Sequence, residues 1–145
     1  MGDFSKEINS TFPNERVKAL LNIKYTANYL DTIGNNFLKP FNISEQQYNI
    51  LRILRGAKEA ITVNAVKDRM VQKSPNSTRL MDKLCDKGFI ERVRCENDRR
   101  VVYVKINDDG LALLNKINMN EFDSCLNKIS EKEAKHLNDI LDKLR

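Results

Sequence analysis

Residues 74 to 107 read Ser74-Pro75-Asn76-Ser77-Thr78-Arg79-Leu80-Met81-Asp82-Lys83-Leu84-Cys85-Asp86-Lys87-Gly88, then Phe89-Ile90-Glu91-Arg92-Val93-Arg94, then Cys95-Glu96-Asn97-Asp98-Arg99-Arg100, then Val101-Val102-Tyr103-Val104-Lys105-Ile106-Asn107. Ser74-Pro75 predicts a helix start: serine accepts from the free N-terminal amides, and proline at the first helical position sacrifices no bond. Leu80, Met81 and Leu84 form the apolar face of that helix, and Gly88 supplies a left-handed stop. Two β-branched runs joined by the polar turn from Cys95 to Arg100 predict a hairpin. The order is a recognition-type helix followed by a β-hairpin wing.

The charge gathers in this segment. Lys67 to Lys105 holds 11 basic and 6 acidic residues, an excess of five that equals the net +5 of the whole chain. The remainder is balanced. A neutral body with one basic segment is the electrostatic footprint of a phosphate-binding face.

Working outward, Val17, Leu20, Leu21, Ile23, Ala27, Leu30, Ile33 and Phe37 recur at helical spacing and predict a long helix from Asn14 to Leu38, ended by Pro40. Phe4, Ile8 and Phe12 hint at a short helix or arm before it. Ser44-Glu45-Gln46-Gln47 reads as a capping box; its helix runs through Tyr48, Leu51 and Leu54 and ends near Gly56. After a short extended piece at Ala60-Ile61, Thr62 caps a helix through Ala65, Val66 and Met70. Beyond the hairpin, Asn107 with Asp108 and Asp109 opens a helix whose stripe is Leu111, Leu114, Ile117, Phe122, Cys125, Leu126 and Ile129. Ser130-Glu131-Lys132-Glu133 is a second capping box, opening a last helix with Leu137, Ile140, Leu141 and Leu144. The expected fold is mostly α with a small β-hairpin wing, in the order α-α-α-α-β-β-α-α.

Composition bounds the function. At 145 residues, 41% apolar and 31% charged, the chain suits one domain with a proper core. The N-terminus has no apolar run and no stretch approaches the roughly 18 apolar residues of a membrane span, so cytoplasmic residence without a membrane partner is expected. Cys85, Cys95 and Cys125 form no Cys-x-x-Cys pair and His136 is the only histidine, which argues against a metal or other cofactor. The thiols are read as reduced and partly buried, with a redox-sensing thiol as the other reading. An enzyme needs a nucleophile-base pair, a paired acid and base, a metal or a phosphate loop; none is recognisable.

A helix of about 14 residues is roughly 20 Å long and fits the major groove. Its first residues, Ser74, Pro75, Asn76, Ser77, Thr78 and Arg79, are candidates for base edges: Asn for adenine, Arg for guanine, Pro or Thr carbon for a thymine methyl. Lys73, Lys83 and Lys87 are placed for phosphates. Arg99 and Arg100 at the wing tip suit the minor groove, with Asp98 bracing an arginine. The bland alternatives are an ordinary capped surface helix and a solvated hairpin loop. Double-stranded DNA is the partner these residues fit; a winged-helix protein-interaction module is the alternative.

From Asn14 to Arg145 the chain resembles the MarR-type (multiple antibiotic resistance regulator) winged-helix transcriptional regulators. The resemblance rests on Ser44-Glu45-Gln46-Gln47-Tyr48-Asn49-Ile50-Leu51, on Ser77-Thr78-Arg79-Leu80-Met81-Asp82-Lys83-Leu84, on Cys85-Asp86-Lys87-Gly88-Phe89-Ile90-Glu91-Arg92, and on Asp98-Arg99-Arg100 with Val104-Lys105-Ile106-Asn107-Asp108-Asp109-Gly110. The chain departs at Val66-Lys67, where Leu-Ala is usual, at Val71-Gln72-Lys73, which lacks the common turn glycine, and at Asn107, where Thr is usual. The resemblance implies a single chain over 1–145, with a winged helix-turn-helix lobe at 44–107 and dimerisation helices at 14–40 and 108–145. The apolar stripes of the terminal helices fit a homodimer independently. Two recognition helices would then lie roughly 34–36 Å apart on a near-palindromic operator. The family's commoner habit is repression. Similar proteins also bind small, often aromatic or anionic effectors, for which Tyr25, Tyr29 and Tyr48 are candidate wall residues; packing in the core or at the dimer interface is the other reading. Oxidant-sensing members often use a cysteine near the N-terminus, and this chain has none before Cys85.

Overall fold

The computed structural model describes residues 2–117 and 124–145. It divides into two units, Met1–Glu45 and Gln46–Arg145. In the first, Asp3 caps a single-turn helix, α1 (Phe4–Glu7), by accepting from the Ser5 amide. Phe4 is buried, its ring stacked on Phe12 and tilted against Tyr25, with centroids 5.3 Å away in both cases. Lys18 pairs with Asp3 at 3.3 Å and ties α1 to the long helix α2 (Glu15–Leu38). Asn14, where the sequence pattern begins, caps α2 by accepting from the Val17 amide, and Pro40 sits in the 3-10 turn Lys39–Phe41 that follows.

The second unit opens with α3 (Glu45–Ala57). The helix ends one residue past Gly56, close to where the sequence predicts, and Lys58 takes the left-handed conformation, with φ 60°. A two-residue strand, β1 (Ile61–Thr62), precedes α4 (Val63–Arg69), whose cap is the Thr62 hydroxyl accepting from Ala65. Next come α5 (Ser77–Asp86) and the hairpin β2 (Ile90–Arg94) and β3 (Val102–Ile106), paired antiparallel from Ile90↔Ile106 to Arg94↔Val102. β1 pairs with the free edge of β3, so the sheet has three strands in the order β1-β3-β2. Leu51, Leu54, Val66, Leu84 and Val104 are fully buried.

α5 ends in a Schellman turn. Gly88 has φ 77°, its amide reaches Cys85, and the Phe89 amide reaches Leu84. Asn107 sits across that turn. Its Oδ1 accepts from Gly110 at 2.9 Å to cap α6 (Asp108–Lys116), while its Nδ2 donates to the Gly88 carbonyl at 2.6 Å. Its backbone amide donates to Phe89. Gly110 has no room for a side chain: a Cβ would strike the Phe89 carbonyl oxygen and lie 2.6 Å from Ile106 Cγ1.

The stripe from Leu111 to Ile129 is not one helix. α6 stops at Lys116, where Ile117 turns to ψ 108°; Phe122 lies outside the described residues, and 124–126 are helical again. The final helix, α7 (Glu131–Lys143), starts on the predicted capping box: Glu133 donates its amide to Ser130 Oγ and accepts from the Ser130 amide. That bond holds the Glu133 carboxyl below its usual range.

Glu45 carries a contrasting strain. Its carboxylate lies over the bare backbone of Gly34. Burial, and then the charge of Asp31, push its carboxyl above the usual range, although a helix N-terminus favours negative charge. Ionised Glu45 therefore costs stability, and that cost appears as pH rises through the raised pKa. Two glycine substitutions should separate rigid from yielding neighbours. Gly110→Ala meets a backbone carbonyl and should lower stability by about 1–3 kcal/mol. Gly34→Ala meets only a carboxylate that can swing to solvent, and the helix gains about 1 kcal/mol from alanine, so its urea midpoint should hold or rise. Equal losses would refute the distinction. Asn107→Ala should cost about 2 kcal/mol and Asn107→Thr about half that, since Thr restores the cap but not the donation to Gly88; urea melts of both variants test the split.

Candidate nucleic-acid interface

The start of α5 differs from its sequence reading. Ser74 Oγ accepts from the amide of Asn76, two residues on, and its carbonyl accepts from the amide and hydroxyl of Ser77. Ser74-Pro75 therefore forms a turn, not the first turn of helix: the competing local bond wins. The N-cap is Asn76, without a side-chain bond, and the helix has 10 residues, not 14.

Helical spacing then sorts the candidates. Ser77, Met81 and Leu84 share the buried face. Ser77 is 1% exposed and its hydroxyl is used on Ser74, which removes it from the residues able to touch a base. Pro75, Asn76, Thr78, Arg79 and Lys83 are exposed, and Ser74 is half-buried. Asn76, Arg79 and Lys83 fall on one ridge by their spacing of three and four. Lys73 is also recast. Its ammonium donates to the Lys67 and Asp68 carbonyls at 3.2 and 2.7 Å, closing the end of α4 instead of standing free for a phosphate. The glycine-free turn between α4 and α5 is held from α3: Asn49 accepts from the Val71 amide, and Gln46 donates to Gln72.

At the wing tip Asp98 braces Arg100 through the main chain. Its Oδ1 accepts from the Arg100 amide at 3.0 Å, and its carbonyl accepts from Val101. The carboxylate shapes the turn and leaves the guanidinium groups alone. Among the described residues, Arg79, Lys83, Arg99 and Arg100 form no ion pair or side-chain hydrogen bond.

Arg92 is different: it pairs with Asp82, joining β2 to α5. Both are about half exposed, so the pair orients more than it stabilises. Arg92 also lines a cavity of about 460 Å³ with Thr78 of α5, Arg100 and Val102 of the wing, and Thr62 and Asn64 at the start of α4. The fold thus brings Thr78 and Arg100 to one depression, and adds Arg92. Only the reversal at Gly88 sets Arg92 beside Asp82, so no local signal marks it.

The three tyrosines do not form one wall. Tyr48 is a buried core residue with the Arg52 guanidinium 5.8 Å from its ring centre. Tyr25 and Tyr29 border a cavity of about 360 Å³ with Phe4 and Asn22 in the first unit. Burial, and then Asp86, push the Cys85 thiol up, which opposes thiolate chemistry. Among the described residues no group of His, Cys, Asp and Glu could hold a metal ion, and no helix is long and apolar enough to cross a membrane.

The chain is similar to known proteins in sequence and fold. The sequence profile of the MarR family matches residues 43–102. The multiple antibiotic resistance protein MarR of Salmonella typhimurium is 34% identical over 113 residues, covering 78% of this chain and 74% of that one. The transcriptional regulator PecS of Dickeya dadantii is 27% identical over 120 residues, covering 79% and 72%. Among solved structures, a mutant MarR from Escherichia coli complexed with operator DNA superposes with a TM-score of 0.70 at 26% identity, over 99% of each chain. With the winged helix and this identity together, the chain belongs to the MarR family of winged-helix transcriptional regulators.

Proposed function

We propose that this protein is a homodimeric, sequence-specific DNA-binding regulator that represses transcription from a near-palindromic operator. The observation that carries the reading is the set of unpartnered cations on the recognition helix and the wing tip. Arg79 and Lys83 stand on the exposed ridge of α5 with Asn76, and Arg99 and Arg100 stand on a turn shaped by Asp98. Folding leaves all four charges available, which is what counterion-releasing phosphate contacts and base readout require. That a related MarR is complexed with operator DNA supports it.

The dimer is supported by uncovered apolar surface. Leu20 and Leu21 on α2, Leu137 and Ile140 on α7, and Leu144 at the C-cap of α7 are between 40% and 64% exposed in the single chain. Pairing two copies would bury them. A small aromatic or anionic effector is proposed at Tyr25 and Tyr29, where the first unit is hollow.

The test is a fluorescence-anisotropy titration with DNA from upstream of the protein's own gene, beside random DNA, at two salt concentrations. Binding should be selective and should weaken steeply with salt. Arg79→Ala should reduce the preference for operator by about tenfold or more, the loss of one bidentate base contact of about 1–3 kcal/mol. Arg99→Ala with Arg100→Ala should weaken binding to both DNAs. Weak, equal, salt-insensitive binding would favour a protein-interaction module. Sedimentation should return twice the 16.8 kDa chain mass; a monomeric mass would overturn the dimer.

A further inference from the structure

The pairing register of the hairpin sorts its charged side chains by face. Residues directly opposite each other in an antiparallel pair share a face, and so do residues two apart along one strand. Arg92 stands opposite Val104 and Arg94 opposite Val102, whereas Glu91 stands opposite Lys105 and Val93 opposite Tyr103. Val104 is fully buried and Arg92 pairs with Asp82 of α5, so the face of Arg92 and Arg94 is the one turned toward α5. On the other face the cation is spent, since Lys105 pairs with Glu91 at 3.5 Å.

Arg94 is the cation of the α5 face that folding leaves idle. It is exposed, and among the described residues it makes no ion pair, side-chain hydrogen bond or ring contact. Unlike Arg99 and Arg100 it is rooted in the ladder, at the last pair before the wing tip. Its place relative to α5 is therefore fixed. Two residues along a strand advance about 7 Å, and the reversal at Gly88 sends β2 back alongside α5, so a step outward from Arg92 is a step from Asp82 toward the start of α5. The same advance along a helix takes about four to five residues, which brings Arg94 to the level of Thr78. Thr78 itself shares a depression with Arg92 and Arg100. Arg94 thus lies between the exposed ridge of α5 and the arginines of the wing tip.

On a duplex, a helix in the major groove and a wing tip in the adjoining minor groove are separated by one sugar-phosphate strand. We propose that Arg94 holds that strand, its guanidinium taking a phosphate between the groove read by α5 and the groove entered by the wing tip. Two parallel N–H donors of a guanidinium match the phosphate oxygens. Such a contact fixes the spacing of the two reading elements and carries no base preference of its own. It rests on the DNA-binding reading above and adds to it a residue of the strand.

Anisotropy titrations on DNA from upstream of the gene and on random DNA, over about 50–200 mM salt, compare the wild type with Arg94→Gln, Arg94→Lys and Lys105→Gln. Arg94→Gln should flatten the slope of log K against log salt by about 0.9 for each bound chain. It should weaken both DNAs by the same factor and so leave their ratio unchanged. Arg94→Lys should keep the slope yet bind more weakly than wild type, since a point charge replaces the planar fork. Lys105→Gln removes a charge from the opposite face and should leave the slope as it is. Matching thermal melts establish that the variants fold. The proposal is overturned by an unchanged slope in Arg94→Gln, by a loss confined to the upstream DNA, or by an equal flattening in Lys105→Gln. In each of those outcomes the wild type still binds DNA and the broader reading stands. A wild type with no salt-dependent binding to either DNA would sink that reading, and the role of Arg94 with it.

Discussion

How α5 ends governs the rest of the winged-helix unit. At Gly88 the chain enters the left-handed region, which a β-carbon would oppose, and the amides of Gly88 and Phe89 turn back onto Cys85 and Leu84. That reversal points Ile90 into the first wing strand. Asn107 then fastens the far end of the hairpin to the same spot by donating to the Gly88 carbonyl while capping α6. Gly110 permits the close crossing at Phe89. The ends of α5, the wing and α6 therefore meet in one small hydrogen-bonded knot.

With its end anchored, α5 divides its side chains by helical geometry. The face at Ser77, Met81 and Leu84 is consumed by packing, and the opposite ridge is left with polar groups that folding does not need. Neighbouring charges that folding does use are recognisable by their partners: Lys73 on the carbonyls of α4, Arg92 on Asp82, Asp98 on the amide of Arg100. The distinction between employed and idle charge marks which basic side chains folding uses in a segment where they are plentiful. A count of lysines and arginines cannot make it.

The same logic applies to apolar groups. α2 and α7 keep large hydrophobic side chains at the surface of the single chain, whereas Leu51, Leu54, Val66, Leu84 and Val104 of the winged helix are fully buried. Apolar area left in water is a driving force for association. That exposed area is what the proposed pairing of two copies would cover.

Much of this could be read before any coordinates. Asn14, Thr62, Ser130 with Glu133, Gly88 and Asn107 mark helix ends where the sequence predicts them, because each acts on amides within a few residues along the chain. The helix and hairpin order followed from periodicity for the same reason. Where two local bonds competed, the sequence was ambiguous: Ser74 could cap a helix or close a turn, and it closes a turn. What only the tertiary structure decided involves groups remote in sequence. The pairing of Ile61 with Val104, the Arg92–Asp82 bridge, the burial of Ser77 and Tyr48, and the donation of Asn107 to Gly88 all depend on how the chain reverses. A hydrogen bond spanning a few residues is encoded by those residues alone. One between distant segments is encoded by every turn between them.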